Sequence, residues 1–150
     1  PYTFASHFAP AELEHALDVY RTRFQPSERL DRPKVMLGLT VCAAETDAEG
    51  RFLFSSLQQA FMNLRTGSLP GRPVEDFEQK LEPIAKAMLG QALSCAVVGS
   101  AETVRRGVAD FAARTGADEL MVTAQIFDHA ARKRSYAILA EVHEGMKQAA

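Results

Sequence analysis

Long apolar runs are missing from this sequence, which nowhere approaches the ~20 residues that a membrane-spanning helix requires. Its first residues also lack the basic stretch and apolar core of a secretory leader. The formal net charge of -2 and the pI near 6.1 give no electrostatic reason to expect nucleic acid or an anionic membrane as a partner. We therefore expect a soluble, cytoplasmic protein that binds neither nucleic acid nor membrane.

Motifs that would identify a metal, nucleotide or hydrolase site are also missing. The two cysteines, Cys42 and Cys95, are too far apart for a C-x-x-C motif, and no two histidines have metal-ligand spacing. Both cysteines fall within or beside predicted strands, which favours free buried thiols in a reducing compartment. No Walker motif, G-x-G-x-x-G or G-x-S-x-G occurs. We therefore expect no metal site, and no short motif identifies the chemistry.

What the sequence does contain is an alternation of apolar strand-like runs and helical patterns over its 150 residues. Strands are expected at 2–8, 35–43, about 95–98 and 120–126, the last of them buried on both faces. A hydrophobic content of 47% is typical of one globular domain. Strand–helix–strand units connect parallel strands, so this order predicts an α/β fold with four parallel strands.

Most of the predicted helices have a start signal, either a side chain that can accept a hydrogen bond from the first backbone N–H groups or a proline, which lacks an N–H. A helical insertion precedes the third strand, where the pattern over 74–92 breaks at Pro83. The second helix is expected to reach about Arg65, with Leu64 on its apolar face and Gly67 beyond its end. The remaining signals are Pro10, the capping-box pair Thr46 and Glu49, Ser100, Asp128, and Gly116 as a left-handed helix end.

Polar residues follow several of the predicted strands, and ligands of α/β proteins bind at the carboxyl ends of strands. His7 can face a ligand there or can be a structural histidine of the loop. Gly99 and Ser100 can form an anion-binding turn at a helix N-terminus or a simple helix cap. These alternatives remain open from the residues alone. The positions nominated are Ser6, His7, Ala43, Ala44, Gly99, Ser100, and Thr123 to Phe127 with Gln125 among them.

Several short segments carry more information than the periodicity does. They lie at 4–10 (FASHFAP), 57–61 (LQQAF), 97–104 (VVGSAETV), 115–120 (TGADEL), 125–132 (QIFDHAAR) and 134–136 (RSY). Together they closely resemble the C-terminal half of the bacterial luciferase-like flavin monooxygenases, and the alkanal-monooxygenase-like branch in particular. The likeness covers essentially the whole chain in the right order. One departure is Ala101, where the family often has proline.

The resemblance implies half of a (β/α)8 TIM-type barrel: residues 1–150 would be one partial domain holding strands five to eight, with the N-terminal half absent. It implies reduced FMN as cofactor, dioxygen and a small organic substrate, an aldehyde among the candidates, and admits a flavin reductase as a partner. It places Ala5, Ser6, Gly99, Ser100 and Gln125 beside the cofactor, with His7 as the candidate catalytic residue.

A half-barrel would expose two open sheet edges and an apolar interior, which must pair with something. We therefore expect an inactive fragment that packs against a second copy or against the missing half, and a homo-oligomer. An alternative is a non-catalytic half-barrel module that dimerises and binds flavin. Periodicity alone also permits a small doubly wound sheet, which leaves the segment matches unexplained.

Overall fold

Parallel strands and the helices between them form the fold of residues 1–63 and 71–148, the part of the chain that the computed structural model describes. The α/β class expected from the alternation is confirmed. Short 3-10 turns, Pro10–Glu12 and Phe77–Lys80, precede the first and third helices. In chain order the elements are β1 (Tyr2–Phe4), α1 (Leu13–Arg23), β2 (Val35–Ala43), α2 (Asp47–Met62), α3 (Pro83–Ala92), β3 (Ala96–Gly99), α4 (Ala101–Thr115), β4 (Glu119–Thr123) and α5 (His129–Gln148).

The strand β2 has the bounds expected from the sequence, whereas the other strands are shorter or shifted. The first strand ends at Phe4 because the chain then turns, with the N–H groups of Phe8 and Ala9 both donating to the carbonyl of Ala5. The strand β4 ends at Thr123 and is only partly covered. The expectation that β4 is buried on both faces is wrong, since Met121 is 57% exposed.

The helix signals are confirmed at both ends of several helices. The hydroxyl of Thr46 accepts from the Glu49 N–H at 3.1 Å, and the carboxylate of Asp128 accepts from the Ala131 N–H at 2.8 Å. Gly116 ends α4 with φ of 59°. Pro83 is the first residue of α3, so the helix begins at this proline and the pattern before it is a 3-10 turn. The expected end of the second helix, with Leu64, Arg65 and Gly67, lies outside the described residues.

β2 is the central strand of the sheet and pairs with each of the other three. β1 lies beside positions 35–37 of β2, β3 beside 40–43, and β4 beside 36–40. Thr40 pairs with both Ala96 and Thr123, and a strand has two edges. β4 therefore occupies one edge of β2, and β1 and β3 follow one another along the other edge. Strands in barrel order would instead bring β4 beside β3.

Helices cover both faces of this sheet and form two apolar cores. Odd-numbered residues of β2 pack with α1, α4 and α5, whereas Cys42 and Ala44 pack with α2 and α3. The chain crosses the sheet in alternating directions, so connections of the same right hand place α2 on the face opposite α1 and α4. An apolar sheet face left uncovered was expected of a half-barrel. Among the described residues α2 and α3 cover this face near the carboxyl ends of β2 and β3, whereas Met121, which pairs with Gly38 on the same face, is exposed.

The last helix, α5, is held to the sheet by two hydroxyl groups. The hydroxyl of Ser135 accepts from the Ala43 N–H at 2.9 Å, and the hydroxyl of Tyr136 accepts from the Ala124 N–H at 3.0 Å. Its buried residues are Ser135, Ile138 and Val142. Tyr136, by contrast, is 43% exposed. No helix in the ranges 1–63 and 71–148 has the length and apolar character to cross a membrane.

Candidate functional site

The carboxyl ends of the strands do not meet at one level of the sheet. β1 ends beside Leu37 and β3 ends beside Ala43, six positions further along β2. At about 3.3 Å per residue these two ends are separated by roughly 20 Å. The structure therefore divides the predicted site residues into two groups, one containing Ser6 and His7 and the other containing Gly99 and Ser100.

The first group is packed against the middle of β2. Ser6 is fully buried, and its hydroxyl donates to the carbonyl oxygen of Gly38 at 2.5 Å. The imidazole of His7 lies over Gly38, where an added β-carbon would come within 2.2 Å of Nδ1. A glycine inside a strand pattern can indicate such a close approach, and this signal at Gly38 was missed in the sequence.

Burial favours the neutral form of His7 in this position. Burial lowers the pKa of His7 below its usual value of 6.5, because the imidazolium would lose hydration. Its Nδ1 atom is buried and has no hydrogen-bond partner among the described residues. The Nδ1 atom can therefore form one hydrogen bond with a polar atom that does not belong to the described residues. Whether Nδ1 donates or accepts depends on the tautomer of the imidazole.

Two further unpartnered hydroxyls lie on the same side of the sheet. Thr123 pairs in register with Thr40, two positions beyond Gly38, so their side chains share the face that the His7 ring covers. The Oγ1 atom of Thr123 is buried without a partner in the described ranges, as is the Oγ atom of Ser56 on α2. Ser56 was missed because a serine inside a helix pattern carries no site signal. Buried polar atoms without partners are uncommon, so each of these hydroxyls is a candidate for a hydrogen bond supplied by water or a ligand.

In the second group, the backbone N–H of Ser100 is already bound by a carboxylate of the same chain. Oδ1 of Asp47 accepts from the Ser100 N–H at 2.7 Å, and Ser100 in turn caps α4 through the Thr103 N–H. Hydrogen bonds from Ser100 and Thr103 lower the pKa of Asp47 to about 2. The helix cap that the sequence predicts at Ser100 is observed. Asp47 was missed because the sequence indicates only that it begins α2.

Ala43 and Ala44 adjoin the second group, since Ala43 pairs with Gly99 and the Ala44 N–H donates to the Gly99 carbonyl oxygen at 2.9 Å, whereas Gln125 and Phe127 lie apart from both groups. Gln125 is exposed in the segment after β4, and no hydrogen bond joins it to either group within the described residues. Ala5 is exposed in the turn after β1. The ring of Phe127 lies under the guanidinium group of Arg72, 5.7 Å from its centroid. Ala5, Gln125 and Phe127 are therefore accessible but are not organised around a common centre in this chain.

Two cavities among the described residues lie elsewhere. One, of about 540 Å³, lies between β1 and α1 and includes Tyr2, Tyr20 and Phe24. Another, of about 290 Å³, lies between α2 and the turn before α3 and includes Arg51 and Gln58. Neither is lined by any predicted site residue. The predicted residues therefore do not enclose either of these cavities.

Known proteins with similar sequences indicate the family to which the chain is related. A protein of Escherichia coli strain K12 named luciferase-like monooxygenase is 44% identical over 147 residues, which are 96% of this chain and 44% of that protein. The chain is homologous to luciferase-like monooxygenases. The uncharacterized protein YvbT of Bacillus subtilis strain 168 is 43% identical over 95% of this chain and 43% of its own length. The chain thus spans less than half the length of these relatives, and no family model matches it.

Solved structures place the fold in the same group. The crystal structure of apo-MsnO8 matches 96% of this chain and 45% of its own chain, with a TM-score of 0.74 and 29% identity. Monooxygenase RslO1 from Streptomyces bottropensis matches 93% of this chain and 39% of its own chain with a TM-score of 0.59, and at 16% identity this supports the fold alone. The resemblance to the luciferase-like family and the α/β class of a partial barrel are confirmed.

Proposed function

We propose that the chain is the C-terminal part of an FMN-dependent luciferase-like monooxygenase that oxidises a small organic substrate, with an aldehyde as the first candidate. The observation that carries this proposal is the 44% identity over 96% of the chain to a protein of that name. The likeness to apo-MsnO8 over 96% of the chain supports it. Because the relatives are about twice as long, we propose that residues 1–150 are one partial domain and are inactive alone.

Among the described residues, two donors that the resemblance leads us to expect beside the cofactor are already bound and do not fit the phosphate of FMN. The hydroxyl of Ser6 is bound to Gly38, and the N–H of Ser100 is bound to Asp47. We therefore assign the phosphate contacts to residues of the whole protein outside this chain. When bound, reduced FMN would supply the electrons that activate dioxygen. The resemblance leads us to expect Ala5, Ser6, Gly99, Ser100 and Gln125 at the edge of its ring system. In the arrangement of strands observed here the Ser6 group and the Ser100 group lie roughly 20 Å apart, so we assign only Ala5 and Ser6, which adjoin His7, to that edge.

We assign His7 the role of holding a polar atom of the substrate. Its Nδ1 atom is buried against Gly38 and unpartnered in the described ranges, so a turn of the ring away from Gly38 would let a ligand satisfy a group that is otherwise costly to bury. The lowered pKa of His7 keeps the imidazole neutral near pH 7. A neutral imidazole orients a carbonyl or hydroxyl group without adding a positive charge to the site.

Reconstitution tests the proposal. The chain would be mixed with the part of the E. coli relative that it does not cover, and FMN binding would be followed by flavin fluorescence. We expect no stoichiometric FMN on the chain alone, and binding together with aldehyde-dependent oxygen uptake in the mixture when the flavin is reduced. The uncovered part alone is the control. Tight FMN binding by the chain alone would contradict the assignment of the phosphate contacts, and no binding by a formed complex would contradict the FMN proposal.

A second candidate is a non-catalytic half-barrel module that dimerises. It is favoured by the second apolar core, in which α2 and α3 already cover part of the sheet face, and by exposed Met121 on the same face, where a second copy could pack. Sedimentation of the chain, combined with the flavin titration, distinguishes the non-catalytic module from the monooxygenase fragment. A stable dimer that binds flavin without oxygen uptake, alone and in the mixture, would favour the module.

The cellular setting that we propose follows from the thiols and from the family. Cys42 and Cys95 are buried and unpaired, which is typical of a reducing compartment such as the cytoplasm. We propose a flavin reductase as the supplier of reduced FMN and a homo-oligomeric assembly for the whole protein. Isolation of the intact protein from its cell under native conditions tests the assembly, and a monomer would contradict it.

A further inference from the structure

The helices α2 and α4 begin beside one another at the carboxyl ends of β2 and β3. Their contact is close, because an added β-carbon on Gly50 of α2 would lie 2.9 Å from the N and Cα atoms of Gly99, just before α4. The first turn of each helix carries N–H groups without helical partners and a partial positive charge. Helix N-termini at this edge of a parallel sheet are a common binding place for phosphate.

In this chain the anion at that place is a side chain. Asp47 is the first residue of α2 and lies at the positive end of its own helix, while its Oδ1 accepts from the Ser100 N–H at 2.7 Å. Gly99 has φ of 146° and makes room for the carboxylate, because a β-carbon there would lie 2.5 Å from Oδ1. One carboxylate therefore interacts with the N-termini of both helices.

We propose that Asp47 is an internal anion that occupies the phosphate-sized position at the N-termini of α2 and α4, so that no phosphate binds there. A phosphate placed on the Ser100 N–H would have to displace Oδ1 and would meet a negative charge at hydrogen-bond distance. The ligand group that meets the Gly99–Ser100 turn is therefore not an anion. This inference does not depend on flavin and holds for any phosphate-bearing ligand.

Inorganic phosphate is the probe that tests this proposal. In the unaltered chain, we expect the backbone amide resonance of Ser100 to stay in place through a phosphate titration at constant ionic strength. We expect Asp47→Ala to gain phosphate binding, seen as a shift of that resonance and as a rise in Tm of about 3–6 °C at ten times Kd. Chloride at equal ionic strength is the salt control.

Two matched variants distinguish the removal of the side chain that fills the position from the mere loss of one negative charge. Asp47→Asn keeps an oxygen acceptor in the same place, so it should remain unresponsive to phosphate. Asp110→Ala removes one negative charge from an exposed position of α4 and should also remain unresponsive. A shift of the Ser100 resonance in the unaltered chain, a response of Asp47→Asn, or no response in folded Asp47→Ala would each overturn the proposal. If Asp47→Ala fails to fold, the unaltered chain and Asp47→Asn still decide it.

Discussion

The imidazole of His7 lies over Gly38 so closely that a β-carbon at position 38 would be 2.2 Å from Nδ1 and 2.7 Å from Cε1. The neighbouring Ser6 hydroxyl donates to the carbonyl oxygen of the same glycine. Two consecutive residues of the turn after β1 are thus fixed on one residue of β2. The position of His7 therefore depends on the absence of a side chain at residue 38.

Gly38→Ala should displace the His7 ring and destabilise the chain by about 1–3 kcal/mol, the usual cost of adding a methyl group to a filled core. Urea unfolding gives the change in the free energy of unfolding. Gly90→Ala is the matched control, since nothing lies within 4 Å of an added β-carbon at this helical position. Gly90→Ala should stabilise the chain by about 0.5–1 kcal/mol.

A double-mutant cycle tests the contact itself. His7→Ala should reduce the free-energy cost of Gly38→Ala, and an equal cost with and without His7 would contradict the contact.

The carboxylate of Asp47 should make stability depend on pH in the acid range. The N–H of Ser100, with further hydrogen bonds from the Ser100 and Thr103 side chains, lowers the pKa of Asp47 from 3.8 to about 2. A carboxylate with a lower pKa in the folded state stabilises the fold above its unfolded pKa. This stabilisation is fully present above pH 3.8 and is lost as the pH falls toward about 2. Asp47→Asn should flatten this part of the profile of unfolding free energy against pH.

Asp110→Asn is the control for that measurement, because it removes one formal charge from an exposed position elsewhere on α4. The profile of Asp47→Asn should differ from that of Asp110→Asn between pH 3.8 and about 2. Superimposable profiles for the two variants would mean that the hydrogen bond to Ser100 contributes nothing in solution.

Local signals in the sequence were sufficient for most element bounds. The nearly continuous apolar run of β2 fixed both of its ends, and Thr46 and Ser100 act as N-caps through residues three positions away. Such interactions are determined by neighbouring residues, so a pattern can predict them. The bounds that were missed, at the end of β1 and in β4, depend on which strands become neighbours.

The candidate site could not be predicted to the same degree, because its contacts join distant parts of the chain. Asp47 reaches Ser100 across 53 positions, and Ser6 reaches Gly38 across 32. Each partner has an ordinary local role, as a helix-start carboxylate or a strand glycine. Only the pairing of β1 and β3 along the same edge of β2 shows that the ends of these strands lie at different levels.

Cys42 should be unreactive in the folded chain. Burial, with a smaller contribution from the Glu49 carboxylate, raises the pKa of the Cys42 thiol to about 12, and the thiolate is the reactive form. Labelling with a thiol reagent at pH 8, followed by peptide mass spectrometry, should proceed only as fast as the chain unfolds. The labelling rate should rise with urea in parallel with the unfolding rate. Fast labelling of Cys42 without denaturant would show that this face of the sheet opens in the native state.

Ser135 and Tyr136 of α5 each accept a hydrogen bond from a backbone N–H group, one in the core and one near the surface. The two residues therefore allow the free-energy cost of losing such a bond to be compared in the two environments. Ser135 is buried, and its hydroxyl is the acceptor for the Ala43 N–H at the end of β2, so Ser135→Ala should destabilise by about 1–3 kcal/mol. Tyr136→Phe removes the acceptor of the Ala124 N–H near the surface, where water can replace it, and should cost about 0.5–1 kcal/mol. Urea unfolding of both variants measures the difference. The reverse order of costs would mean that water reaches the end of β2 beneath α5, and that the core between them is less closely packed than its buried residues indicate.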